Sequence, residues 1–160
     1  MIGTLPALRY FSARSPTPPG SSIGGAPSLP RSVTELPVLI VEDEAVIAWM
    51  LEDILETLGF TSIAIVESYA SAIEAAGRMA PGLIVSDINL GAGSPDGVAT
   101  AVEIAGGKPV PVLFITGHAS AENQQRIERE LMHARMLRKP VARADLARAI
   151  AELTGAASMN

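Results

Sequence analysis

From residue 37 onward the chain alternates short apolar runs with longer stretches whose apolar residues recur every three or four positions. The short runs are Val38–Val41, 61–66, Leu83–Ser86, Val112–Thr116 and 134–137. They have the length of strands, and all but 134–137 have their β-branched content. Between them the spacing predicts helices over 44–58, Tyr69–Met79, Gly97–Ala105, 121–131 and 141–153. The first carries Val46, Ile47, Met50, Leu51, Ile54, Leu55 and Leu58 on one stripe and stops at Gly59. Pro81-Gly82 and Gly106-Gly107 end the second and third.

Strands without polar alternation are buried on both faces, which implies a parallel sheet sandwiched between helices. Five β/α units joined by right-handed crossovers give an α/β doubly wound sheet. Its expected strand order is 2-1-3-4-5. A site then belongs beyond the carboxyl ends of the strands, where strands one and three diverge.

Residues 1–36 look different. The stretch "SARSPTPPGSSIGGAPSLPRS" is rich in Pro, Gly and Ser and has no apolar period, so a disordered N-terminal tail is expected there. The folded domain is expected over 37–154, with a short C-terminal tail at 155–160 and no output domain after it. Aromatics make up only 4% of the chain against 48% hydrophobic residues, so the core must be aliphatic. With no cysteine, disulfide scaffolds and Cys-based zinc sites are excluded, and with only two histidines a histidine-rich metal site is not expected. Three of the 12 basic residues and one of the 17 acids fall in 1–36, which leaves the domain nine bases, sixteen acids and a net charge of −7. Direct nucleic-acid binding is not expected of such a surface. No apolar stretch reaches the ~20 residues of a membrane helix. A cytoplasmic location and no membrane partner are expected.

Charge then collects where it is least expected. In "LIVEDEAVIA" the first strand runs straight into Glu42, Asp43 and Glu44, and in "LIVSDINL" the third runs into Asp87. Glu44 reads as a first-turn acid favoured by the helix dipole. In a 2-1-3-4-5 sheet Glu42, Asp43 and Asp87 meet in one crevice, and their repulsion would raise their pKa values unless a cation relieved it. Oxygen ligands of this kind suit Mg²⁺. Thr116 ends the fourth strand and Lys139 the fifth, adding a hydroxyl and an ammonium beside the same crevice. A metal, a hydroxyl and a cation are what a phosphoryl group requires.

This constellation resembles the receiver domain of bacterial two-component response regulators, a flavodoxin-like fold, over residues 37–154. The resemblance implies that Asp87 is the phosphoacceptor. It implies that Glu42 and Asp43 hold Mg²⁺, with Asp43 ahead as the direct ligand, and that the Asn89 backbone carbonyl completes the protein ligands with Asp87. Thr116 and Lys139 match the family's phosphoryl-stabilising switch residues, and Lys139–Pro140 is similar to its usual cis peptide. "PVLFITGH" is similar to the signature of the FATGUY-type single-domain receivers of alphaproteobacteria: Pro111, Phe114, Thr116 and Gly117 fit, and Ile115 replaces the usual alanine. The stretch beginning "VLIVEDEAVIAWM" is similar to the receiver half of the general-stress regulators of those bacteria.

One departure is Met136, where many receivers place a switch Tyr or Phe; it fills the core or tunes the switch. His118 sits where the family tunes phosphoryl loss, and His133 reads as ordinary surface. Trp49 lies near the surface that kinases grip, or packs half-buried. The expected function is a stand-alone receiver, not an enzyme, taking phosphoryl groups from a sensor histidine kinase or phosphotransfer protein as relay, sink or adaptor. The face made by residues 121–131, 134–137 and 141–153 is expected to exchange partners or form a homodimer. The competing readings are an aspartate-nucleophile phosphatase and a binding module that works without phosphorylation. The phosphatase reading lacks the usual D-x-D, since Asn89 stands two residues after Asp87.

Overall fold

A computed structural model describes residues 28–91 and 95–156. Five parallel strands form one sheet in the order β2-β1-β3-β4-β5: β1 Val38–Val41, β2 Ile63–Val66, β3 Leu83–Ser86, β4 Val112–Thr116 and β5 Ala134–Arg138. The registers Val41↔Val66 and Val41↔Ser86 bring the ends of the first three strands level. The doubly wound sheet and its order are as the apolar runs imply.

The three central strands are buried throughout, whereas edge strands β2 and β5 are half-exposed. Burial on both faces therefore holds only for strands flanked on both sides. Alternate residues feed two cores. Val38, Ile40, Leu83, Val85, Leu113 and Ile115 pack under α2 (Ala45–Thr57) and α6 (Arg143–Leu153). Leu39, Val41, Ile84, Val112 and Phe114 pack under α3 (Tyr69–Met79), α4 (Gly97–Ala105) and α5 (Ala121–Glu130).

The helix ends follow local chemistry. Ser68, Asp96 and Ser120 cap α3, α4 and α5 by accepting the backbone N–H of Ser71, Ala99 and Asn123. Glu44 is the residue before α2, not part of its first turn, and makes no side-chain cap. Gly106, at φ +54°, ends α4 in the left-handed region that favours glycine. In α3 that position falls on Ala80, at φ 46°, before the Pro81-Gly82 expected to end it.

Two further expectations need correction. On α2 the buried residues are Ala48, Leu51 and Leu55, while Val46 is 74% and Met50 44% exposed. The core accepts a narrower stripe than the apolar pattern covers. The expected tail through residue 36 is also too long. Residues 31–34 form a one-turn helix, α1 (Arg31–Thr34), with Val33 buried, and Leu29 and Leu36 pack against the same core. Three spaced apolar residues suffice to seat this segment against the core despite the prolines around it. Residues 1–27 and 157–160 lie outside the described residues.

Candidate functional site

Three of the site residues are each placed by a backbone hydrogen bond between neighbouring strand ends. The Glu42 N–H donates to the Val66 carbonyl (3.0 Å), the Asp87 N–H to that of Val41 (2.9 Å), and the Lys139 N–H to that of Thr116 (2.9 Å). Residues far apart in the chain are thereby level at one edge of the sheet. The Lys139–Pro140 bond is cis, as the resemblance implies.

Lys139 is the centre of the polar network. Its Nζ donates to Asp87 Oδ2 at 2.8 Å and to Glu42 Oε2 at 3.0 Å. The second oxygens are also engaged: Glu42 Oε1 accepts the Glu44 N–H (3.2 Å) and Asp87 Oδ1 the Asn89 N–H (3.2 Å). Glu42 is 2% exposed and Asp87 7%, whereas Asp43 is exposed. Burial raises the Glu42 carboxyl above its ordinary value, a rise only partly offset by the hydrogen bond from Lys139. Burial alone would lower the Lys139 ammonium, but hydrogen bonds to Asp87 and Glu42 outweigh it and raise the pKa.

Carboxylate oxygens of Glu42, Asp43 and Asp87 all lie within 4.8 Å of one another. One ammonium faces three carboxylates, so negative charge remains unbalanced. Hard oxygen donors at this spacing, one still exposed, are the donor chemistry of a small divalent cation. The residues fit Mg²⁺ on that ground.

The remaining sequence candidates separate. Thr116 is fully buried, and its hydroxyl accepts the His118 N–H at 3.2 Å, which holds the turn after β4. Asn89 and His118 are exposed beside the site. Met136 packs against the core beneath α3, α4 and α5, partly buried. His133 is exposed at the opposite end of the sheet, where its carbonyl accepts the Val112 N–H as β4 begins. Trp49 is 53% exposed, and with Val46 and Met50 makes an apolar face on α2. That face adjoins a pocket of ≈ 320 Å³ lined by Ile47, Met50, Leu51, Ile115, Lys139 and Pro140, among others.

Sequence reasoning missed the glycine at the start of α4. A Cβ on Gly97 would lie 1.8 Å from the Asp87 carbonyl oxygen, so α4 begins directly against the backbone of Asp87. The Gly97 N–H also donates to the Ile88 carbonyl at 2.7 Å. The "PDG" triplet signals a capped helix start but does not show what lies against it. Asp96, beside it, has a second role that no sequence signal marks. It accepts two hydrogen bonds from Arg126 of α5, one at 3.2 Å from Nη2 and another from Nη1.

The model of the response regulator receiver domain matches residues 38–151. The phyllosphere-induced regulator PhyR of Methylorubrum extorquens is 38% identical over 82 residues, 51% of this chain and 30% of its own length. The chain therefore spans under a third of that curated relative. Among solved structures, the signal receiver domain of a modulated diguanylate cyclase from Desulfovibrio desulfuricans is 34% identical at a TM-score of 0.67, covering 78% of this chain and 98% of its own. The PhyR receiver domain of Erythrobacter litoralis is 30% identical at a TM-score of 0.64, covering 76% and 91%.

Proposed function

Since the chain belongs to the response regulator receiver domain family of two-component systems, we propose that it accepts a phosphoryl group from a histidine kinase or phosphotransfer protein onto Asp87. The observation that carries this reading is Lys139 Nζ bridging Asp87 and Glu42, with Asp43 within reach of both carboxylates. Receiver domains act chiefly as signalling switches, and turnover of a small substrate is not part of the proposal.

A carboxylate attacks a phosphorylated donor poorly because both are anionic. Lys139 reduces that repulsion and holds Asp87 by one oxygen, fixing the direction in which the carboxylate faces. Attack forms an Asp87 O–P bond as the donor's P–N bond breaks, leaving an acyl phosphate and a free histidine. Glu42, Asp43, Asp87 and the Asn89 carbonyl would hold Mg²⁺. That ion, when bound, supplies positive charge to the oxygens of the group in transit.

The product carries more negative charge than the carboxylate it replaces. Lys139 then pairs with phosphoryl oxygens, which loosens its bond to Glu42. Thr116 gives up the His118 N–H and turns its hydroxyl to the same oxygens, moving the turn after β4. His118 tunes hydrolysis from the mouth of the site, and Met136, opposite Phe114 in the sheet, fills the core. The exposed Val46, Trp49 and Met50, continuous with the pocket that Lys139 lines, present an apolar face to the donor. Stand-alone action as relay, sink or adaptor, a cytoplasmic location, and a homodimer through the α5-β5-α6 face belong to the same proposal.

Incubation with acetyl phosphate and Mg²⁺ tests it. One phosphoryl group is expected on the protein, lost with EDTA and lost in Asp87→Asn. Labelling that survives the Asn substitution overturns the assignment.

A further inference from the structure

Helix α5 follows Thr116 by a turn of only four residues, 117–120, so any movement of Thr116 is felt there first. Its hold on the rest of the molecule is slight. Ile127 is its single buried residue, and most of its other side chains are exposed and polar. Its polar bonds within the helix, Gln124 to Glu128 and Arg126 to Glu130, do not anchor it to anything else. Among the described residues, one side-chain ion pair ties α5 to another element: Arg126 with Asp96.

Asp96 stands where α4 begins. Its carboxylate caps α4 through the Ala99 N–H at 2.9 Å. The next residue, Gly97, rests against the Asp87 carbonyl and donates to Ile88. The Arg126 guanidinium therefore joins the helix after Thr116 to the helix that begins on the backbone of Asp87. The pair is bidentate, and both side chains are about one-third exposed, within reach of water. Such a bond is strong enough to bias a poorly anchored helix and weak enough to break.

We propose that the Arg126–Asp96 pair is a tie that holds α5 in its resting place and that phosphorylation at Asp87 must break. This rests on the phosphoacceptor reading for what breaks the tie, but not for the tie itself. Removing the pair releases α5 towards the position it takes on phosphorylation, so a phosphoryl mimic binds the released protein more tightly.

The test compares the parent chain with Arg126→Gln, Asp96→Asn and the double variant. Asparagine keeps an oxygen to cap α4, so hydrogen exchange over 97–105 should stay as in the parent. Exchange over 121–130 should quicken about three- to five-fold in each single variant, as expected for loss of a partly exposed pair, and no further in the double. Unchanged exchange there, or additive effects in the double variant, overturns the tie. Beryllofluoride with Mg²⁺ serves as the phosphoryl mimic, and its affinity should rise by a similar factor in all three variants. Equal affinity in parent and variants overturns the claim that phosphorylation works against the tie. No binding to any of them, with α5 still quickened, leaves the tie standing and overturns the phosphoacceptor reading instead.

Discussion

Replacing Gly97 with alanine adds one methyl group at the most crowded place beside Asp87. The new Cβ would lie 1.8 Å from the Asp87 carbonyl oxygen and 2.8 Å from both its carbonyl carbon and Ser86 Oγ. Real Cβ contacts essentially never fall below 3.0 Å, so the two backbones must part by at least the 1.2 Å between 1.8 and 3.0 Å. Gly97 is not in the left-handed region, so the effect is steric and not conformational. The displacement also stretches the 2.7 Å bond from the Gly97 N–H to Ile88. Overpacking costs about 1–3 kcal/mol and a lost buried hydrogen bond about 1 kcal/mol, which gives ~3 kcal/mol here, where the obstacle is backbone. At an m-value of about 2 kcal/mol/M, the urea midpoint should fall by about 1.5 M. In conditions where the variant is still folded, Mg²⁺-dependent labelling from acetyl phosphate should also fall, because the carboxylate moves with its backbone. A midpoint within about 0.3 M of the parent, with labelling intact, would refute the reasoning.

Gly77 makes the opposite case. It sits within α3, and an added methyl group would meet nothing within 4 Å, so Gly77→Ala should stabilise by about 0.5–1 kcal/mol in urea unfolding. Val33→Ala should cost ~1.5 kcal/mol, two methylene equivalents of burial, and show that residues before 37 belong to the core. Glu42 gives a pH dependence. A carboxyl raised by burial binds its proton more tightly folded than unfolded, so its contribution favours the fold at low pH and declines as pH rises from about 4.5. The stability difference between the parent and Glu42→Gln should therefore shift towards the Gln variant between pH 4.5 and 7, read by urea unfolding without added metal. A gap that moves the other way contradicts the cause assigned to the shift.

The central architecture was legible because β1, β3 and β4 are apolar almost without interruption, and such strands have few other places to go. Strand order then placed Glu42, Asp43 and Asp87 together, and the ends of β4 and β5 added Thr116 and Lys139. What stayed hidden has local physical causes. Val46 and Met50 extend the apolar stripe beyond the face of α2 that the core buries. Leu29, Val33 and Leu36 keep helical spacing, but their neighbours have the composition of a linker. Glu42 reads as a metal ligand from its position, but that its two oxygens also accept from Lys139 and the Glu44 N–H is visible only in three dimensions. Arg126 and Asp96 are 30 residues apart in surroundings that read as solvated, so nothing in the sequence pairs them. The contact of Gly97 with Asp87 was hidden for a different reason: a glycine at a helix start serves many purposes, and only the space around its Cα separates them.

The phosphoacceptor assignment depends on which carboxyl comes to carry phosphorus, and chemical trapping reads that residue directly. Borohydride reduces an aspartyl phosphate to homoserine, which peptide mass spectrometry locates by residue. After treatment with acetyl phosphate and Mg²⁺, homoserine is expected at position 87 alone, and none when EDTA is present. Homoserine in place of Asp43, an alcohol derived from Glu42, or a peptide spanning residue 87 that is never reduced would contradict it.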